Sequence, residues 1–323
     1  MTNQKIITGI GRAFTDIIAT VDDAFLEKFQ LKKGVGVRVT PEVLQAMIAE
    51  LKDPVYMAGG SVANTMACLR ALGHDVCFIG KTGDDEAGHF FRKEFERTGV
   101  MFPNPPVPGG ISGTCLCLNT KDGERSFAFT TGVCEEFTPQ DMPPTLFENT
   151  EMLFLQVLML ETYVCYESVR DSLPALPSHV RKVMSLHDLH DKGKITDLVL
   201  QHVDILLGNY REYDHILGIR NEADFQAFVA EKNIMAVMTC GAKGAVLAVP
   251  DEVQHIQAVP PKEMIDTVGA GDAFAAGLLY GISHEWPLKQ SGDLGATYAS
   301  LIIEQVGARP NEKTVRHISE FMD

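Results

Sequence analysis

The sequence predicts an α/β protein in which a mostly parallel sheet is flanked by helices and a second, small β-sheet covers one end. Three observations carry that expectation. Short β-rich runs alternate with longer helical patterns, as parallel strands joined by helical crossovers require. The runs from Asp204 to Leu207 and from Ile234 to Met238 read as strands buried on both faces. Residues 111–132 alternate in polarity on both sides of Asp122-Gly123, a pair suited to a turn with positive φ.

Taken in order, a strand is expected over Lys5 to Gly9, followed by DIIATVD and GVGVRV as short strand-like runs within residues 14–40. A helix over Ala63 to Ala71, a strand over Val76 to Ile79 and a helix over Ala87 to Thr98 come next. The proline-rich stretch from Met101 to Gly110 is a stiff connector into the hairpin. Met152 to Gln156, Val183 to Leu186, Ile205 to Leu207 and Ala236 to Thr239 supply further strands. Segments 14–40 and 111–132 together are expected to form the small sheet, placed over the main body like a lid.

Composition narrows the function. With 323 residues and 45% hydrophobic content the chain has material for a large core. A net charge of −15, without a Lys/Arg block, argues against a nucleic-acid or anionic-membrane partner, since both need accumulated basic surface. Seven cysteines without a CxxC pair fit a reduced, cytoplasmic setting, and Cys115 and Cys117 share a face if their segment is a strand. The first ten residues have no signal-peptide pattern, and the apolar run from Met152 to Leu160 is too short to span a bilayer.

Glycine-rich stretches mark the candidate sites. GIGRAF (Gly9 to Phe14) imitates the start of a dinucleotide fingerprint, but Phe14 stands where the third glycine belongs, so it is read as a strand end. No GxxxxGK[ST] occurs. In MAGGSVANTMACLRALG, Gly59 and Gly60 would let a small molecule approach backbone N–H groups at a helix start, with Asn64 offering donor and acceptor; a tight turn capped by Ser61 fits equally. Asn209 and Glu212 follow a buried strand, where an amide and a carboxylate can hold metal-bound water, or can simply cap a helix. Gly241 and Gly244, after Thr239, suit backbone passing close to a nucleotide, or a hairpin turn. HDLHD (His187 to Asp191) lacks the distant ligand that a zinc site needs and reads as a polar loop. In IDTVGAGDAFAAGLL, glycines at a helix start make an anion site, and Asp272 among those donors either caps the helix or does chemistry.

In their order along the chain these pieces resemble the PfkB (ribokinase-like) kinases. AGGSVANTMACLRALG is similar to the family's first signature and DTVGAGDAFAAGLL to its second, with FIGKTGDDEAG, the Asn209/Glu212 pair and TCGAKG between them and GARP near the end. The resemblance covers essentially the whole chain and implies one domain over residues 1–323, a three-layer α/β/α fold with a β lid. It implies transfer of the ATP γ-phosphate to a primary hydroxyl of a sugar or nucleoside, with Mg2+. Asp272 would be the general base, with Gly269, Ala270 and Gly271 forming the anion hole. Asp16, Gly59, Gly60 and Asn64 would hold the acceptor, Asn209 and Glu212 would organise Mg2+ through water, and Thr239, Gly241 and Gly244 would line the ATP site. Asp266 is where a monovalent cation site for K+ would begin. The N-terminal run and the lid segment look closer to the adenosine kinase-like branch, so adenosine is the leading specific acceptor. Phe127 and Phe129 would then stack on a base or sugar face, or pack the lid down. A sugar kinase of the ribokinase, fructokinase or ketodeoxygluconokinase type and a non-catalytic nucleoside-binding relative are the alternatives. A homodimer through an exposed lid edge is a further expectation.

Overall fold

The computed structural model describes residues 5–187, 189 and 193–322, so three members of the HDLHD run, Asp188, His190 and Asp191, lie outside the described residues. Two sheets organise the chain. The larger has the order β13-β12-β11-β10-β9-β8-β1-β5, built from β1 (Ile6–Ile10), β5 (Val76–Ile79), β8 (Thr150–Gln156), β9 (Arg181–Ser185), β10 (Ile205–Asn209), β11 (Met235–Thr239), β12 (Ala245–Val249) and β13 (Glu252–Ile256). Pairing is parallel from β5 through β11, and the β12–β13 edge is antiparallel. The strands of the parallel part carry near-continuous apolar runs because both faces are covered.

Alternation along β8 shows the two cores. Met152 and Phe154 point to one, with Val62, Met66, Phe91, Phe274 and Leu278 from α3 (Ser61–Ala71), α4 (Glu86–Thr98) and α9 (Ala270–Ser283). Leu153 and Leu155 point to the other, with Val169, Ile195, Val199 and Phe225 from α5 (Tyr163–Ser172), α6 (Lys194–His202) and α8 (Glu222–Lys232). The result is a ribokinase-like three-layer α/β/α arrangement. The first layer is completed by α10 (Leu288–Ile303) and α11 (Glu312–Met322). Helix α9 meets α10 at Gly277 and Gly295, where a Cβ on Gly277 would lie 2.8 Å from the Gly295 Cα, so only glycine permits that approach.

The smaller sheet has the order β3-β7-β6-β2-β4. Its strands are β2 (Phe14–Thr20), β3 (Gly36–Arg38), β4 (Val55–Gly59), β6 (Gly113–Asn119) and β7 (Arg125–Thr130). The hairpin turns at Gly123, whose φ of +88° is the left-handed conformation that the Asp-Gly pair anticipates. Strand β4 has no counterpart in the sequence-based expectation: VYMAG is short and runs straight into the glycine pair, and it becomes an edge strand by antiparallel pairing with β2. Between β2 and β4 the chain forms α1 (Asp23–Lys28) and α2 (Pro41–Ile48). Leu26, Leu44 and Met47 of these helices cover one face of the small sheet over Ile17, Leu116, Leu118 and Ala128. The opposite face, with Asp16, Ile18, Met57, Cys115, Cys117, Phe127 and Phe129, is half-buried.

GIGRAF serves this layout. A Cβ on Gly9 would sit 2.6 Å from Val62 and one on Gly11 2.7 Å from the same side chain, so the bare backbone lets α3 lie close over β1. No helix among the described residues is long and apolar enough to cross a membrane.

Candidate active site

The larger sheet reverses its direction of growth at β1, which pairs with β5 on one side and β8 on the other. Ligand crevices in such sheets lie beyond the carboxyl ends of the strands at that point. Just past β1 the chain enters β2 of the small sheet, and α3 and α9 begin close by: Ser61 Oγ of α3 donates to Asp272 Oδ1 of α9 at 2.6 Å, and Asn64 Nδ2 donates to Oδ2 at 3.1 Å.

Asp272 is the third residue of α9, behind Gly269 at φ +80°. A Cβ on Gly269 would fall on the Ala308 side chain, so both the conformation and the contact demand glycine. Ala270 N–H donates to Thr267 O at 3.4 Å, whereas the N–H groups of Gly271 and Asp272 have no protein acceptor among the described residues. Gly271 is exposed and a Cβ there would meet nothing within 4 Å, leaving the helix start open to an anion. Burial raises the Asp272 carboxyl above its ordinary value, and the Ser61 and Asn64 hydrogen bonds oppose that by favouring the ionised form. Charge-assisted bonds of this kind contribute about 1.5–3 kcal/mol each.

The turn after α10 supports this loop from below. Gln305 is buried and accepts from Asn311 N at 3.1 Å and from Thr314 Oγ1 at 2.6 Å, while its amide donates to the Arg309 carbonyl. Asp266 Oδ2 accepts from Gly307 N at 3.2 Å and Oδ1 from Val268 N at 3.1 Å, with Arg125 of β7 3.9 Å away. The carboxylate expected to begin a monovalent-cation site therefore ties together the two turns that frame the helix start.

From that turn the Arg309 side chain runs inward. Its guanidinium lies 4.8 Å from the Phe95 ring centroid and 5.6 Å from Phe91, with Nη1 and Nη2 buried and without a hydrogen-bond partner. Nε donates to Asn64 Oδ1 at 3.4 Å. Burial pulls its pKa down to about 10, still well into the charged range at neutral pH. Asn64 thus links Arg309 to Asp272, and the two contacts fix which end of its amide faces the carboxylate. In the sequence GARP enters only through the family likeness and gives Arg309 no role; a lone cation between alanine and proline is its signal. One of the two readings open in the sequence had Ser61 capping a tight turn at this helix start. The N-cap is instead Gly60, at φ +91°, and with no side-chain cap formed the Ser61 hydroxyl reaches Asp272.

Asp16 stands on β2 between Met57 of β4 and Cys115 of β6. A Cβ on Gly59 would fall on the Asp16 carboxylate, so the first glycine of the pair makes room for that side chain; a Cβ on Gly60 would fall on the Arg12 carbonyl. No donor is placed on the Asp16 carboxylate among the described residues. Burial pushes it up to about 6, and the Arg309 charge only partly opposes the shift.

Asn209 and Thr239 are register neighbours at the carboxyl ends of β10 and β11. Asn209 Oδ1 accepts from the N–H groups of Arg211 (2.9 Å) and Glu212 (3.0 Å), and Glu212 Oε2 accepts from Asn209 N at 2.7 Å. This is a reciprocal capping box at the start of the short α7 (Tyr210–Glu212). Next to it, Gly241 (φ +57°) and Gly244 (φ +89°) turn the chain from β11 into β12, with Cys240 N bonded to Gly244 O at 2.7 Å. A Cβ on Gly244 would fall on the Ile256 carbonyl. His187, exposed, lies close enough to favour the ionised form of Asp272.

Known proteins share the fold. Residues 37–315 match the pfkB family carbohydrate kinases. The chain is 29% identical over 237 residues to the aminoimidazole riboside kinase of Salmonella typhimurium, covering 70% of this chain and 73% of that one. The crystal structure of adenosine kinase from Sinorhizobium meliloti superposes with a TM-score of 0.85 at 25% identity, covering 99% of this chain and 100% of that one. A probable sugar kinase protein from Rhizobium etli superposes with a TM-score of 0.86 at 26% identity, covering 100% and 99%. With the two-sheet fold and the glycine-framed start of α9 in place, the chain belongs to the pfkB family of carbohydrate kinases.

Proposed function

We propose that this kinase transfers the γ-phosphate of ATP to a primary hydroxyl of a ribonucleoside, with adenosine the leading acceptor and Asp272 the general base. The observation that carries the reading is the Asp272 carboxylate, fixed by Ser61 and Asn64 at the start of a helix whose Gly271 and Asp272 N–H groups stand open. An acceptor hydroxyl beside Asp272 gives up its proton to the carboxylate as its oxygen bonds to the γ-phosphorus, and the bond to the departing ADP breaks. The N–H groups and the helix dipole stabilise charge on the transferred phosphoryl group. That division of labour suits phosphoryl transfer, which needs positioning and charge neutralisation more than covalent chemistry.

Family membership implies ATP, typically with Mg2+. A carboxylate and an amide at a strand's carboxyl end offer the hard oxygen donors that Mg2+ prefers, largely through water, so Asn209 and Glu212 would hold its hydration shell. The ion supplies neutralisation of phosphate charge. Thr239, Gly241 and Gly244 would border the nucleotide, where positive-φ glycines keep side chains clear.

On the acceptor side, Asp16 would accept from sugar hydroxyls, and Phe127 and Phe129 on the same half-buried face would meet the base. The small sheet would then act as a lid. A sugar acceptor is the second reading, favoured by the likeness to the Rhizobium etli protein. Incubation with Mg-ATP and adenosine, aminoimidazole riboside, ribose, fructose or ketodeoxygluconate decides between them: ADP and a phosphomonoester formed fastest with adenosine support the nucleoside reading, and a preference for a free sugar overturns it. No ADP with any of them overturns the kinase proposal for this acceptor class.

A further inference from the structure

We propose that Asp16, Cys115 and Cys117 form a site for a thiophilic divalent cation, with Zn2+ the representative ion, at the carboxylate proposed to hold the acceptor, so that cation and acceptor exclude each other. A carboxylate oxygen of Asp16 and the two Sγ atoms all lie within 4.8 Å of one another. The backbone explains why they meet. Cys115 and Cys117 are two apart on β6 and share a face, and the parallel register sets Asp16 beside Cys115.

Ligand type and spacing favour a metal over a disulfide. Residues two apart on a strand have Cα atoms about 6.8 Å apart with parallel Cβ vectors, at the outer limit for a disulfide, so the pair stays a dithiol unless the strand bends. A tetrahedral ion with Zn–S bonds of about 2.3 Å spaces its sulfurs about 3.8 Å apart, inside the 4.8 Å within which the two Sγ atoms already lie. Two sulfurs and a carboxylate oxygen are a borderline-soft set that Zn2+ accepts and Mg2+ does not.

The surroundings supply a reason to bind. Asp16 is half-buried with no donor on it among the described residues, and a cation would satisfy it as sugar hydroxyls would. Thiols must lose their protons to ligate a metal, so binding strengthens as pH rises. Among the described residues no other such group of His, Cys, Asp or Glu is found.

Only the mutual exclusion rests on the kinase reading. Titrating chelator-treated protein with Cd2+ and recording the thiolate-to-metal charge-transfer band tests the site without turnover. The expected result is a band saturating at one ion per chain, retained in Cys240→Ser, lost in the Cys115→Ser/Cys117→Ser double variant and weakened at least tenfold in affinity by Asp16→Asn. Cys115→Val, close in volume, replaces the serine variant if that one does not fold. No band, or a band unchanged in the double variant, overturns the site. Adenosine should reverse the band, and a band that persists at saturating adenosine overturns the exclusion. Protein that shows the band but phosphorylates no acceptor overturns the kinase reading and leaves the metal site standing.

Discussion

Two carboxylates flank the start of α3, one against Gly59 and one bonded to Ser61 and Asn64, and they are held in opposite ways. Asp272, at the start of a helix on the large sheet, accepts directed hydrogen bonds from Ser61 and Asn64. Asp16, on the small sheet, has thiols, Met57 and backbone around it and no donor of its own. The first is oriented before any ligand arrives, as a group that must meet a developing charge should be. The second has no protein donor among the described residues, as a group that receives the acceptor should. The contrast follows from local backbone: glycines on either side of α3 and α9 bring two helix starts together, whereas a strand register alone positions Asp16.

Exchanging the charge at each carboxylate separates the roles. Asp272→Asn keeps the Ser61 and Asn64 neighbours but cannot take a proton, and its turnover should fall by about 10²–10⁴-fold, measured as ADP release. Gly269→Ala attacks the frame instead: the residue sits at φ +80° against Ala308, so the loop must shift, and kcat should fall roughly 10²-fold because misplacing the helix start by an ångström costs about that much. Asp16→Asn should leave kcat within a few fold and raise the acceptor KM by about 10-fold to 150-fold, since hydrogen bonds to a charged group are worth about 1.5–3 kcal/mol.

Asp16 also carries a pH signature. Its native pKa of about 6 lies above the ordinary 3.8, so between these values the folded chain binds more protons than the unfolded one. Stability therefore falls as pH rises through that window, and the penalty is complete above about pH 6. Asp16→Asn should remove this slope and raise Tm at pH 7 by about 1–2 degrees, taking about 1 kcal/mol after allowance for partial solvent access. Acceptor affinity runs the other way, declining in the wild type as pH drops through about 6 and flat in the variant. The smallest effect is expected of Phe129→Leu: an adenosine KM raised about threefold to tenfold with the ribose KM unchanged, given about 0.5–1.5 kcal/mol for an aromatic stack.

The regions differ in how legible they were. Strands β1, β5 and β8 to β11 could be read from their apolar runs, and helices α3 and α4 from a spacing long enough to show its period. Strand β4 could not, since five residues ending in glycine carry no alternation to speak of. Asp272 stood out because a carboxylate among glycines is chemically odd. The Asn64 bridge to Arg309 was invisible, as it joins residues 245 apart in sequence. So was the meeting of Asp16 with Cys115 and Cys117, which depends on the parallel β2–β6 register; alternation put the two cysteines on one face but could not say which acid lay beside it.

The claim that one carboxylate does chemistry while the other holds the acceptor is tested most directly by calorimetric titration of adenosine into Asp272→Asn and Asp16→Asn. The account predicts binding within about threefold of wild type for Asp272→Asn and about 10-fold to 150-fold weaker for Asp16→Asn. Binding lost in Asp272→Asn and kept in Asp16→Asn would contradict it.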